Sequence, residues 1–260
     1  SSTLELMHTP ARIQSDTIVT YPSGICEDTS MVQFALELED ARTAVVTESS
    51  SFHPLDHTWP DQPADSGTIE VGGARYDVVD VLTGAICLED GGFFVGSAIP
   101  VRRGESGWAF MVLHVLEGID EHIDTNYWAG TDAHLVVDSD RRRSLSASHT
   151  ACHLAAFAVN KVVDVMWSKD APLDSLGYRN FDAMAVTRSL ISSDESQDTY
   201  RVGKSLRKKG FDVARLLNEV DEVVRLVNQQ LDVWCRSGAA ISMEMPDQSL
   251  TAKRMWHCDL

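Results

Sequence analysis

The chain is poor in positive charge, in clustered cysteine and in long apolar stretches. Against 39 Asp and Glu it carries only 22 Lys and Arg in 260 residues, a formal charge of −17. A nonspecific nucleic-acid binder neutralises phosphates with surplus cations, and here the surplus has the wrong sign. Any nucleic acid must therefore be met at a local basic patch. No apolar run reaches the roughly 18–20 residues that cross a bilayer, so no membrane partner is expected. The first residues lack the basic and long apolar regions of a signal peptide. The five cysteines, Cys26, Cys87, Cys152, Cys235 and Cys258, are odd in number, far apart and form no CxxC pair. That usage fits reduced thiols better than a disulfide framework, and the expected location is cytoplasmic. Taken singly, each cysteine reads first as a small buried apolar residue. What the chain does have is core material: 43% of its residues are hydrophobic, which excludes a disordered protein. The length suits one large domain or two ordinary ones.

The first half reads as strands and turns. Thr43–Thr47 is β-favouring, and Ser50–Asp65, rich in Pro, His and Asp, is a long loop. Gly67–Val71 and Ala74–Leu82 flank Gly72-Gly73, a two-residue hairpin signal because such a turn needs φ > 0 at both positions. Ala85–Leu88, Phe93–Ile99, Trp108–Val115 and Ala133–Val137 continue the pattern, which suggests a β-barrel or sandwich. The period then changes. Ser148–Met166 has apolar residues three and four apart and reads as a helix, Phe181–Ile191 as a strand, and Phe211–Arg236 as one long helix. In that helix Val213, Leu216, Leu217, Val220, Val224, Val227, Leu231 and Trp234 form the apolar stripe. Ala239–Met245 and Ala252–Asp259 read as closing strands. The fold class is α+β: a β-barrel-like N-terminal domain over 1–140, then an α+β domain over 141–260.

Three features could carry chemistry. His149 and His153 stand four apart, on one face of the expected helix, and two neutral imidazoles there can converge on one metal, zinc being the best suited. Two histidines that merely share a half-buried helix face are the alternative. No glutamate follows the first of them, which disfavours a zinc-protease motif. Next, Phe52-His53-Pro54 and Asp61–Ile69 form a turn-rich loop in which Gln62 could orient a substrate or a water; an ordinary surface loop is the alternative. Finally, Arg141-Arg142-Arg143 make a cationic spot suited to phosphate, unless the neighbouring aspartates partner them. A second basic cluster, Lys204, Arg207, Lys208 and Lys209, could touch a polyanion or merely solvate a loop.

Taken in order, these features resemble the alanyl-tRNA editing proteins and the related editing domains of alanyl- and threonyl-tRNA synthetases. Phe52 and Pro54 match the start of the family's N-terminal motif, and Gln62, Pro63, Asp65, Gly67 and Ile69 its end. His114, Gly130, Val137, Asp138, Arg141 and Arg142 then lead into His149-Thr150-Ala151, His153 and Leu154, which match H-T-A-x-H-L. Phe181-Asp182 resembles a short strand of the family, and Val227-Asn228 a V-N pair in its long helix. The likeness runs from about Val45 to Leu260. It departs from the family where Trp59-Pro60-Asp61 replace the glycines before Gln62, after the inserted Leu55–Thr58. It departs again at the metal site, which the family completes with C-x-x-x-H after a late strand. Here that cysteine would fall beyond Leu260, with His257 and Cys258 on the matching strand. Residues adjacent on a strand face opposite ways, so both could reach one metal only through a bulge.

The resemblance implies an editing-type second domain, an antiparallel sheet packed on helices. It implies a zinc-dependent hydrolase that removes a wrong amino acid, serine or glycine, from the acceptor end of tRNA(Ala) in trans. His149 and His153 would be ligands and Gln62 the catalytic-pocket residue. Thr47, Asp65, Arg141, Arg142 and Lys208 would contact substrate. ATP is not expected to take part. Three other classes remain open on the residues: a metal-dependent hydrolase of another small ester or amide on the same scaffold, a non-catalytic homologue whose metal site has decayed, and, least favoured by the net charge, a tRNA-binding module without chemistry.

Overall fold

The computed structural model describes residues 13–55, 62–239, 241–244 and 246–260. Its first half contains β1 (Ile18–Val19), β2 (Glu27–Glu37), β3 (Thr43–Thr47), β4 (Ser49–Ser50), β5 (Gly67–Val71), β6 (Ala74–Cys87), β7 (Phe93–Val95), β8 (Trp108–Leu116) and β9 (Asp132–Val137). Six of these close on themselves in the order β5-β9-β2-β3-β8-β6, with β6 returning to pair β5 and β7 added beside β6. Every pairing in the ring is antiparallel. Closure leaves no free edge in the ring, which is how a short-stranded sheet avoids exposing backbone donors. The expected barrel is therefore present.

Period-two alternation builds two apolar clusters from the same strands. On β8, Phe110, Val112 and Leu116 join Val45, Ile69, Val81 and Leu135, while Ala109, Met111, Leu113 and Val115 join Phe34, Leu36, Ala44 and Val46. A strand buried on both faces reads as a continuous apolar run, which is the sequence of β8. Gly72 and Gly73 turn β5 into β6 with φ of +61° and +80°, as that hairpin requires. At Gly67 the chain passes so close to β9 that a Cβ would lie 2.0 Å from the Val136 carbonyl oxygen.

Among the described residues the second half contains five α-helices: α1 (Ser139–Val163), α2 (Phe181–Ala185), α3 (Lys204–Lys208), α4 (Val213–Asn218) and α5 (Val220–Ser237). Strands β10 (Val186–Ser192) and β11 (Glu195–Tyr200) form an antiparallel hairpin, and β12 (Ile241–Glu244) and β13 (Met255–Cys258) a second pair. The chain divides into two compact units. One is Ser1–Arg143 with Met243–Met255, the other Ser144–Ser242 with Trp256–Leu260. In the first unit the segment around Leu250 is fastened to the chain before β2: Val19 N–H donates to Gln248 O at 2.8 Å, Leu250 N–H to Thr17 O at 3.0 Å, and Ser249 Oγ to Asp16 Oδ2 at 2.6 Å. No helix among the described residues is long and apolar enough to cross a membrane.

Several expectations are corrected. Helix α1 begins nine residues early, at Ser139, because Asp138 caps it by accepting from Arg141 N–H at 3.0 Å. Phe181–Ala185 is a helix turn rather than the start of a strand, since Asn180 accepts from Ala183 N–H at 3.0 Å. Phe211–Arg236 is two helices, broken at Glu219. Its apolar arc is wider than the core it meets: Val213, Leu216, Val223 and Val227 pack inward with Val163, Phe181 and Leu206, whereas Leu217, Val220 and Val224 are exposed. Residues 56–61, which include Trp59-Pro60-Asp61, lie outside the described residues, as do Ala240 and Met245.

Candidate functional site

Helix α1 carries the two histidines on one face, as their spacing requires. Their Nε2 atoms approach to 2.9 Å, with ring centroids 4.8 Å apart. A contact that short needs one ring to donate and the other to accept, so the accepting imidazole is neutral. Burial, and then the nearness of His153, push His149 down to about 4 from its ordinary 6.5. Burial also lowers His153, against the opposing pull of Asp182 and Asp198. Two nitrogens bound to one tetrahedral zinc, each about 2.0–2.1 Å away, lie about 3.3 Å apart. The observed separation is within a few tenths of an ångström of that value, and neutral imidazole is the ligating form. Residues His149 and His153 thus fit two positions of a zinc shell. Among the described residues no group of three His, Cys, Asp or Glu is placed to hold a metal. The side chain of Cys258 is outside the described set.

Around this pair lies a polar network within the same unit. Across the hairpin Ser189 stands opposite Asp198, and its hydroxyl donates to Asp198 Oδ1 at 2.5 Å. The Cys152 thiol, one position before His153, lies 3.6 Å from the same carboxylate, and burial raises its pKa. Tyr200, on β11, donates its hydroxyl to Asp182 Oδ1 at 2.7 Å. Burial raises the pKa of Asp182, with the Tyr200 bond working against it, and burial together with Asp182 raises that of Tyr200. Asp182 is held by its backbone, its N–H donating to Asn160 Oδ1 at 2.8 Å. Asn160, buried in α1, donates to Asp174 Oδ2 at 2.9 Å and Asn180 Oδ1 at 3.2 Å. Sequence reasoning missed Ser189, Asp198, Tyr200 and Asn160. A hairpin register that pairs Ser189 with Asp198 leaves no local signature, and Asn160 reads as one more polar residue on a helix.

Of the other expected site residues, all but Lys208 lie in the first unit. Gln62 is half-buried at a bend just before β5. Thr47 is completely buried, its hydroxyl donating to Ser49 O at 2.6 Å; it is enclosed in the barrel wall and not presented to a substrate. Asp65, 4% exposed, accepts from His53 N–H at 2.6 Å and pairs with the Arg142 guanidinium. Arg142 also donates to Ser51 O and, at 2.8 Å, to Ile25 O. Both members of that pair therefore have their charge neutralised by each other, which argues against the expected phosphate contact of Arg142 and the expected substrate contact of Asp65. Arg143 pairs with Asp140 at 3.4 Å, and Arg141 donates to Ala64 O at 3.3 Å. Lys208 is exposed on α3.

His114, on β8, is fully buried. Its Nδ1–H donates to Val45 O at 2.8 Å, and its Nε2 accepts from Ser50 Oγ–H at 2.7 Å. Ser50 Oγ in turn accepts from Phe52 N–H at 3.1 Å, and Phe52 sets its ring edge against the imidazole at 5.3 Å. A serine and a histidine in this arrangement could serve nucleophilic chemistry only if a substrate could reach them, and both have zero exposure. They fix the loop after β4 to the barrel. No protein-family model matches the chain, and no curated protein matches it either.

Proposed function

We propose that the chain is a metal-dependent hydrolase of the aminoacyl-tRNA editing type, which removes serine or glycine from mischarged tRNA(Ala) in trans. The observation that carries this reading is the 2.9 Å convergence of the His149 and His153 Nε2 atoms, with burial disfavouring the charged form of each ring. Zinc held by that pair supplies a bound water of lowered pKa and a Lewis acid for the ester carbonyl. The nearby carboxylates of Asp182 and Asp198 offset the positive charge that a cation brings into a half-buried site. Thr47, Asp65 and Arg142 hold the barrel and its loop, while Arg141 and Lys208 are left to meet phosphate.

The net charge of −17 favours a second reading. A polyanion is repelled by such a surface, whereas a small ester or amide is not. One assay separates the two: purified protein with zinc, offered Ser-tRNA(Ala), Gly-tRNA(Ala) and free serine esters. The editing reading expects rapid deacylation of a mischarged tRNA, reduced at least ~100-fold in His149→Ala, the scale of a lost metal ligand. Hydrolysis of the free esters alone would support the second reading. Wild-type rates in His149→Ala would overturn both.

A further inference from the structure

We infer that α5 is the contact surface for a second copy of this chain, the two helices running antiparallel and crossing at Asn228 and Gln229. The rotation of α5 is fixed by what it buries. Val223 is 8% exposed and packs with Val163, Phe181 and Leu206, Val227 packs against the same cluster, and the Trp234 ring stands 5.7 Å from the Lys161 ammonium. At 3.6 residues per turn these three side chains of α5 lie within about 40° of one another around the helix. A second apolar stripe runs beside them. Val220, Val224, Leu231 and Cys235 fall within the next ~60°. Val220 and Val224 are 48% and 52% exposed, Leu231 is half-buried and Cys235 is exposed. The other exposed apolar residue of α5, Val233, stands on the opposite side. An apolar arc that outruns its own core leaves a face for another surface.

The charge along the outer edge of the stripe identifies the occupant. Asp221, Arg225, Asp232 and Arg236 share the adjoining ~60° of the helix, and their signs alternate from acid to base. Reversing the helix about the point between Asn228 and Gln229 sets position 221 against 236 and position 225 against 232, so every acid meets a base. That point is also the midpoint of the 18-residue helix Val220–Ser237. The register that matches the charges is thus the one in which two copies overlap from end to end. In it Val224 of each copy falls, along the axis, midway between Leu231 and Cys235 of the other. Twofold symmetry makes each of these contacts twice.

Other occupants suit this face less well. A strongly basic partner gains nothing from an edge of two acids and two bases. Helices that lie on anionic membranes have a polar face rich in lysine and arginine, whereas α5 has three acids and two bases. The edge arginines also pair within the helix, Arg225 with Glu222 at 2.7 Å and Arg236 with Asp232 at 2.9 Å. All four of those side chains are more than half exposed, so the pairs are weak and the charges remain within reach of a partner. An interface of one helix per copy is small, below about 1,200 Å² in total, and two chains of charge −17 repel each other. The dimer is therefore weak and reversible, with an expected dissociation constant of about 10–100 μM. This inference goes beyond the editing reading and does not rest on it.

The test is sedimentation equilibrium of the full chain, up to about 300 μM protein in about 0.15 M salt, where long-range repulsion is screened. Wild type is expected to pass reversibly from monomer to dimer. Val224→Glu places an unpaired charge in the contact twice per dimer and should weaken association at least ~10-fold. Arg225→Asp and Asp232→Arg, each alone, set like charges against each other and should weaken it at least ~3-fold. Mixed in equal amounts, these two variants regain opposite charges at every pairing. Their heterodimer should be at least ~3-fold tighter than either variant's own dimer. The exposed charge variants keep the test valid should Val224→Glu not fold. Val233→Glu, on the far side, should change association less than about twofold. A chain that stays monomeric throughout overturns the inference. So does a dimer that Val224→Glu leaves intact, or a mixture no tighter than its components. Binding to phosphatidylserine vesicles that Val224→Glu abolishes, by a chain that stays monomeric, would assign the face to a membrane instead. No acyl-tRNA enters the measurement, so its outcome is independent of hydrolysis.

Discussion

Arg142, in the first turns of α1, and Asp65, in the loop before β5, form a buried ion pair in which both partners are also tied to backbone. Arg142 Nε lies 3.3 Å from Asp65 Oδ1 while its other nitrogens reach Ser51 O and Ile25 O. The pair therefore holds three stretches of the first unit in place. Removing one member of a buried pair strands the other charge, which costs about 3–5 kcal/mol. Arg142→Ala should lose about that much in urea unfolding, and Arg142→Lys should recover little of it, because an ammonium cannot make the forked contacts. A loss below about 1 kcal/mol would show that the pair is incidental.

His114 should make stability depend on pH. Burial pushes it down to about 4 from its ordinary 6.5, so the folded state refuses a proton that the unfolded chain accepts between those values. Stability from this residue is full above pH 6.5 and declines as pH falls toward 4. Comparison with His114→Gln isolates the effect from other groups. Wild type should be the more stable at pH 7, and the gap should shrink by about 2 kcal/mol at pH 4.5. A gap that stays constant with pH would mean that the imidazole is not kept neutral by the fold.

Asn160 joins α1 to Asp182 and to the loop carrying Asp174 and Asn180. With both ends of its amide bonded and almost no exposure, Asn160→Ala leaves buried donors and acceptors without partners. The expected cost is about 2–4 kcal/mol in denaturant unfolding. Substitution at no measurable cost would show that water replaces the amide and that Asp182 does not depend on it for its position.

The barrel was legible because its signals are local. Two glycines between alternating runs demanded the β5–β6 turn, and a two-faced apolar run marked β8. Closure itself, with β6 pairing both β5 and β8, is set by contacts far apart in sequence and has no local trace. The start of α1 was missed because Asp140–Arg143 has no apolar periodicity, although the capping Asp138 was in view. The arginine run could be read as a phosphate site or as internally paired; for Arg142 and Arg143 the aspartates decide it. The histidine pair was legible from i,i+4 spacing. Its surroundings were not, because Ser189 and Asp198 reach Cys152, beside His153, through a hairpin register that nothing near His153 announces.

The most direct test of the proposed metal site is zinc content per chain, measured by elemental analysis after dialysis against trace zinc, for wild type and for His149→Ala/His153→Ala. The account predicts about one zinc per wild-type chain, the stoichiometry of a single His-ligated site, and almost none in the double variant. Equal zinc in the two proteins, or none in wild type, would contradict it.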